Sequence, residues 1–223
     1  MRQSRAAVAA ICILLMGCSN TSNAASPVPQ PTLKPRPVVE SELDGLLLGP
    51  EEVSAAMGAP MFVTESKAEM SDNGATMAPP ECLGIDGAAE APVYAGSKMR
   101  AERDQSFTNG DTFTHYLKQA VVVFGYAQPA ADFFDASVRQ WPACHQYTHT
   151  QSGSQWTVGD ITNTDNTLRT VATQQEAAAP GWACGHALSL RNNVIIDVNT
   201  CSADPGDSAV RIAQDIGAKV LRQ

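Results

Sequence analysis

The stretch from Trp182 to Ala203, WACGHALSLRNNVIIDVNTCSA, constrains this chain more than any other. Two runs of strand-forming residues flank Asn192-Asn193, a pair able to take the positive φ values of a two-residue hairpin turn. With that turn, Arg191 faces Val194, and every facing pair further out has residue numbers that sum to 385; Cys184 and Cys201 obey the rule. Counting outward from the hydrogen-bonded Arg191/Val194 pair puts the two cysteines in a non-hydrogen-bonded pair. Their Cα atoms are then about 4.5 Å apart, near the lower end of what a disulfide spans. The register predicts the cross-link.

The first residues read as processing information. Arg2 and Arg5 precede an apolar run from Ala6 to Met16, and Leu15-Met16-Gly17-Cys18 closes it like a lipobox. The expectation is a lipoprotein signal over 1–17, with diacylglycerol on the Cys18 sulfur and the chain held at the outer face of the cell membrane. An ordinary secretory signal is the alternative, and both export the protein. The apolar run is too short for a comfortable transmembrane helix. Of six cysteines, Cys12 goes with the leader and Cys18 carries lipid, which leaves Cys82, Cys144, Cys184 and Cys201. An even set in an oxidising compartment points to disulfides and not to metal. Since register pairs Cys184 with Cys201, Cys82 pairs with Cys144 by elimination.

Residues 18–41 continue from the lipid site as a Ser-, Thr-, Ala- and Pro-rich tether, extended at ~3 Å per residue. The remaining 42–223 form one domain by size. Fifteen Lys+Arg stand against 23 Asp+Glu, a net charge of -8 without a basic stripe, so nucleic acid is excluded as a partner. That charge also gives no reason to lie flat on anionic lipid, which leaves Cys18 as the membrane attachment.

Along this domain the spacing predicts a helix over 50–57 with Gly58 as its stop, a strand over 61–70, and a polar loop to Pro80. A helical turn around Cys82 and an irregular 87–96 come next. Strands over 98–107 and 115–125 follow, the second apolar on both faces at Val121 to Phe124 and therefore central. Ala130, Phe133, Phe134, Ser137, Val138 and Trp141 mark one face of a helix over 129–141. Strands over 145–151, 155–158 and 168–175 lead to the hairpin. A last helix is expected behind Asp204 as its cap, with Ala209, Ile212, Ala213, Ile216 and Val220 inward. Hairpins dominate and helices do not alternate strictly with strands. The fold class is α+β, a mainly antiparallel sheet packed by helices.

Alternation places Cys184, His186, Leu188 and Leu190 on one face with Ile195, Asp197, Asn199 and Cys201. His186, Asp197 and Asn199 beside a disulfide fit either a cleft wall or a hydrogen-bonded polar edge. Phe107 to Tyr116, FTNGDTFTHY, gathers Thr112, Thr114, His115 and three aromatics in one hairpin, which suits a polar ligand or a plain turn. His145 and His149 would lie ~13 Å apart in a strand, so no metal is expected there. No nucleophile elbow, zinc-protease helix or phosphate-cradling loop occurs. Glu81, Asp86 and Asp111 are the carboxylates that glycosidase chemistry would need, and nothing in the sequence brings them together.

Several segments carry a resemblance: PPECLGIDGAAEAPVYAGS, NGDTFTHYLKQAVVVF, AADFFDASVRQWPACHQYTHTQSGSQWTVG, WACGHALSLRNNVIIDVNTCSADPGDSA and IAQDIGAKV. Together they resemble the mycobacterial PknH-like extracellular sensor domain, over nearly all of the chain from about Leu46 to Val220. That domain forms the outer end of a receptor serine/threonine kinase and also occurs in free-standing lipoproteins. The resemblance implies an α+β domain with two disulfides and a large polar cleft for an unidentified extracellular ligand. Neither a kinase domain nor a membrane-spanning helix is read in this sequence, so signalling across the membrane by this chain alone is not expected. The expectation is a lipid-anchored, non-enzymatic binding module without a cofactor, whose ligand-binding candidates are Thr112, Thr114, His115, His186, Asp197 and Asn199. Its partners would be that ligand and a receptor kinase or envelope protein. An interaction module and a cell-wall hydrolase are the competing readings.

Overall fold

The computed structural model describes residues 35–223, which form one compact unit, Pro35–Gln223. The expected leader, Cys18 and the tether up to residue 34 lie outside the described residues. The chain is already fixed to the fold at Val38, ahead of the boundary expected at 42. Its backbone N–H donates to Asn193 Oδ1 (2.8 Å) and its carbonyl accepts from Asn193 Nδ2 (2.9 Å).

In chain order the helices are α1 (Leu43–Leu46), α2 (Pro50–Met57), α3 (Leu83–Asp86), α4 (Ala91–Tyr94), α5 (Ala127–Gln140) and α6 (Ser208–Val220). The strands are β1 (Phe62–Lys67), β2 (Met77–Ala78), β3 (Met99–Thr108), β4 (Tyr116–Phe124), β5 (Gln146–His149), β6 (Gln155–Val158), β7 (Thr162–Thr164), β8 (Thr167–Gln174), β9 (Ala183–Arg191) and β10 (Val194–Ser202). They form one antiparallel sheet in the order β1-β3-β4-β10-β9-β8-β6-β5-β2, with β7 beside β8. The α+β class is as expected, and β4 and β10 are central.

The hairpin pairs Arg191 with Val194 and Cys184 with Cys201, the predicted register. Both expected disulfides are present, with Cα atoms 4.1 Å apart for Cys184–Cys201 and 5.2 Å for Cys82–Cys144. The second ties the turn before α3 to the chain just after α5. At the hairpin tip only Asn192 takes a positive φ, +52°. Asn193 is there for its amide, which, besides holding Val38, donates to the Phe124 carbonyl at 2.6 Å.

Each face of the sheet has its own apolar cluster. Val121, Val123, Val194, Ile196 and Val198 face α6 and the N-terminal helices, while Val122, Phe124, Ile195 and Leu188 face α5 and Tyr94. Burying an aliphatic or aromatic side chain contributes ~1.5–3 kcal/mol, so the alternation of β4 and β10 accounts for their central place.

Several elements differ from expectation: β2 lies in the stretch to Pro80 that reads as a polar loop and α4 in the stretch 87–96 that reads as irregular, each too short to show a period. The last helix begins at Ser208 and not behind Asp204; Pro205-Gly206, with Gly206 at φ +52°, turns the chain first, and Asp207 at the N-cap makes no capping bond, its carboxylate pairing with Arg211 instead. Helix α5 starts two residues before Pro129, since proline in a first turn lacks only an N–H that had no partner there. Strand β7 was not expected. It is polar and fully exposed, so it carries no alternation, and Asp165-Asn166, both at positive φ, turn it into β8.

Candidate functional site

The cleft lies on the α5 face of the sheet, where the pleat brings a polar row into register. Glu65 (β1), Ser106 (β3), Lys118 (β4), Asn199 (β10), His186 (β9) and Thr170 (β8) are successive partners across six strands. A row this polar inside a sheet needs a polar cover, and 71–97 supplies one. The cover is irregular, so its backbone groups depend on side chains for hydrogen bonds.

Three residues of the hairpin meet that need. Asn199 Nδ2 donates to the Asp86 carbonyl at 3.0 Å, and His186 Nδ1 to the Ile85 carbonyl at 2.7 Å. Asp197 Oδ2 accepts from the Ala89 N–H at 3.0 Å and the Tyr94 hydroxyl at 2.8 Å, while Oδ1 accepts from His186 Nε2 at 2.6 Å. Both nitrogens of His186 thus face acceptors, which requires the imidazolium. Burial pushes the pKa of this ring down, but the Asp197 charge, both hydrogen bonds and nearby Asp86 outweigh it and hold the ring above its ordinary value. Burial and the Asp197 charge raise the Tyr94 hydroxyl well above its own.

Above this layer is a cavity of about 330 Å³. Ser71, Asn73, Asp86 and Glu90 of the cover line it together with Ser106, Lys118 and Asn199 of the sheet and the Cys184–Cys201 bridge. Phe113, Tyr116, Trp156 and Trp182 supply the apolar surface. Phe113 lies 6.4 Å from Tyr116 and 6.3 Å from Trp182 between ring centroids, so the three make one cluster. His149 Nε2 meets Asp86 Oδ1 at 2.8 Å, and that bond raises the histidine pKa against partial burial. Glu90 accepts from the Asn73 N–H and side-chain amide; burial still raises its pKa, because it disfavours the charge more than the two bonds favour it.

Of the residues expected from sequence, Asn199 lines the cavity. His186 and Asp197 lie beneath it, 1% and 3% exposed, with every polar group occupied by the protein. Thr112, Thr114 and His115 belong to the β3–β4 loop, where Asn109 Oδ1 accepts from the N–H groups of Thr114 and His115. That loop sends Phe113, not its hydroxyls, to the cavity. Asp86 lines the cavity, Glu81 lines a separate pocket beside Trp141, and Asp111 is exposed. Ser71, Asn73, Glu90 and Lys118 were not singled out from the sequence. For Lys118 the signal was there: a lysine inside a strand apolar on both faces.

Lys118 Nζ donates to Ser71 Oγ at 2.9 Å and lies 3.5 Å from Asp104 Oδ2. Among the described residues no three His, Cys, Asp or Glu gather to hold a metal, and no helix is long and apolar enough to cross a membrane.

A sequence model described as "PknH-like extracellular domain" matches residues 38–219. The chain is 34% identical over 201 residues to serine/threonine-protein kinase PknH of Mycobacterium bovis, covering 87% of this chain and 33% of that kinase. It is 33% identical over 223 residues to PknH of Mycobacterium tuberculosis, covering 97% and 35%. The chain thus spans about a third of the length of the curated relatives it matches. The crystal structure of the extracellular domain of PknH from Mycobacterium tuberculosis superposes with a TM-score of 0.80 at 33% identity, covering 85% of this chain and 100% of that one. That solved chain is the domain by itself, so this fold stands alone.

Proposed function

The chain belongs to the PknH-like extracellular domain family, and from that premise we propose that it is an extracytoplasmic ligand-binding module of sensor type. The observation that carries the reading is the cavity itself. Aromatic rings and polar side chains converge there over a buried layer, His186 and Asp197, whose polar groups are tied down, as in a preformed small-molecule site. In this reading Asn199 lies in the floor, and the loop bearing Thr112, Thr114 and His115 forms the rim behind Phe113.

The finer parts are also proposed. Cys18 carries a lipid that holds the domain at the outer face of the membrane, and the domain catalyses nothing. The partner is an extracellular small molecule, presented to or withheld from a receptor kinase with a homologous outer domain.

A thermal-shift screen of the oxidised domain, Pro35–Gln223, against soluble envelope fragments, lipids and purified envelope proteins tests the binding reading. A ligand at a hundred times its dissociation constant adds about 2.7 kcal/mol, a visible shift for a domain this size. A hit that Trp182→Ala abolishes supports the cleft; stabilisation by a protein alone, untouched by that change, replaces it with a surface-interaction module. Membrane fractionation tests the anchor. Cys18→Ser releases the protein if Cys18 is lipidated and leaves it in place if not.

A further inference from the structure

The partners already present in the cleft narrow its ligand. Glu65 pairs with Lys67 at 2.8 Å, Asp86 with His149 at 2.8 Å, and Asp104 under the floor with Lys118 at 3.5 Å. Glu90 takes both N–H groups of Asn73, at 2.9 and 2.7 Å. Lys118 is committed to Asp104 and to Ser71 Oγ. An anionic ligand would therefore give up its hydration and meet no unmatched positive charge, and a cationic one would find only Glu90, whose partners are neutral donors and whose charge burial disfavours. The cleft selects a neutral molecule.

Two further observations give that molecule its shape. The Phe113, Tyr116 and Trp182 cluster lines the cavity with aromatic surface that rewards an apolar partner, and Phe113 is 47% exposed. Asn199, 4% exposed, spends its Nδ2 on the Asp86 carbonyl, and only Cys201 Sγ approaches its Oδ1, at 3.3 Å. A disulfide sulfur carries no proton. Asn199 Oδ1 is thus an acceptor in the cleft floor with no donor among the described residues, a deficit that a bound hydroxyl removes.

We propose that the cleft binds a neutral carbohydrate of one or two rings, stacked on the Phe113–Tyr116–Trp182 cluster, with a hydroxyl donating to Asn199 Oδ1. A sugar ring combines a C–H face for the aromatics with hydroxyl donors for Asn199, Asn73 and Asp86. At about 330 Å³ the cavity has room for a short saccharide. The proposal rests on the cleft being the ligand site, and its test separates the two.

The oxidised domain is titrated calorimetrically with glucose, galactose, mannose, maltose, cellobiose and lactose, and in parallel with choline, inorganic phosphate and adenosine. Phe113→Ala and Trp182→Ala are the variants: Phe113 stands exposed at the rim, while Trp182 is half-buried against the apolar cluster, so Phe113→Ala decides if Trp182→Ala fails to fold. Saturable binding of at least one sugar is expected, weakened about tenfold or more by each variant. Monodeoxy forms of that sugar should reveal one hydroxyl whose loss costs about tenfold. Binding of choline, phosphate or adenosine that the variants weaken, with no sugar bound, overturns the carbohydrate and leaves the cleft reading standing. Sugar binding that both variants leave unchanged overturns this site, and no heat with any sugar overturns the proposal whatever the other probes do.

Discussion

His186 and Asp197 form a buried ion pair, Nε2 to Oδ1 at 2.6 Å, that joins two strands of the sheet to the segment covering them. The pair reaches that segment at Ile85, Ala89 and Tyr94, so it acts as a staple under the cleft. Removing one partner strands a charge in the interior, whereas removing both does not. His186→Leu and Asp197→Leu should each cost about 3–5 kcal/mol, and the double variant markedly less than their sum. Urea unfolding of the four proteins in the cycle measures it; strict additivity would show that the two are not coupled.

Glu102 and Asp104 on β3 face the same side, each 1% exposed, and neither carboxylate has a hydrogen-bond partner among the described residues other than what one can offer the other. Burial first, then Asp104, pushes the Glu102 pKa up to about 8. A carboxyl with a raised folded-state pKa contributes stability that is whole below its unfolded value, near 4.5, and lost as pH rises through 8. Melting temperature should therefore fall between about pH 4.5 and 8 and level off above that. Glu102→Gln, neutral throughout, should flatten that fall and melt roughly a few degrees higher than the wild type at pH 9. An unchanged pH profile in the variant would remove Glu102 from the explanation.

Asn193 binds the start of the domain to the hairpin tip through three hydrogen bonds, and it is fully buried. Asn193→Ala leaves Val38 and the Phe124 carbonyl without partners, at a cost of about 2–3 kcal/mol or more. Asn192→Gly, at the left-handed position beside it, should be close to neutral. Denaturation midpoints compare the two; equal losses would mean that turn geometry, not the amide, sets the requirement.

The disulfides close loops of different length, 62 residues apart in sequence for Cys82–Cys144 and 17 for Cys184–Cys201. On the chain-entropy account, replacing the first pair by alanines costs roughly 4 kcal/mol and the second roughly 3. The first loss should also loosen the cleft cover, because Cys82 precedes α3. Hydrogen exchange of residues 83–94 reads this, and protection equal to the wild type would contradict it.

The sequence carried the hairpin register to the residue, because Asn192-Asn193 and two facing cysteines leave a single pairing. It carried the helices α2 and α5 and the central strand β4 through their apolar spacing. Alternation also put His186, Asp197 and Asn199 on one face, yet it could not say what lies over that face. The cover, 71–97, has no period, and what fixes it is a set of backbone groups seeking partners on distant strands. A staple was for that reason indistinguishable from a cleft wall or a wet edge. The N-cap of α6 and strand β7 were missed for a simpler reason: a turn at Pro205-Gly206 and an exposed polar strand leave no apolar signal.

The most direct measurement is amide chemical-shift mapping of the oxidised domain at saturation with whichever compound stabilises it. The account predicts shifts concentrated at Ser71–Asn73, Asp86–Glu90, Phe113–Lys118 and Trp182–Cys184, which meet only in the cleft. Shifts confined to the exposed strand β7, or to the pocket beside Trp141, would place binding elsewhere and contradict it.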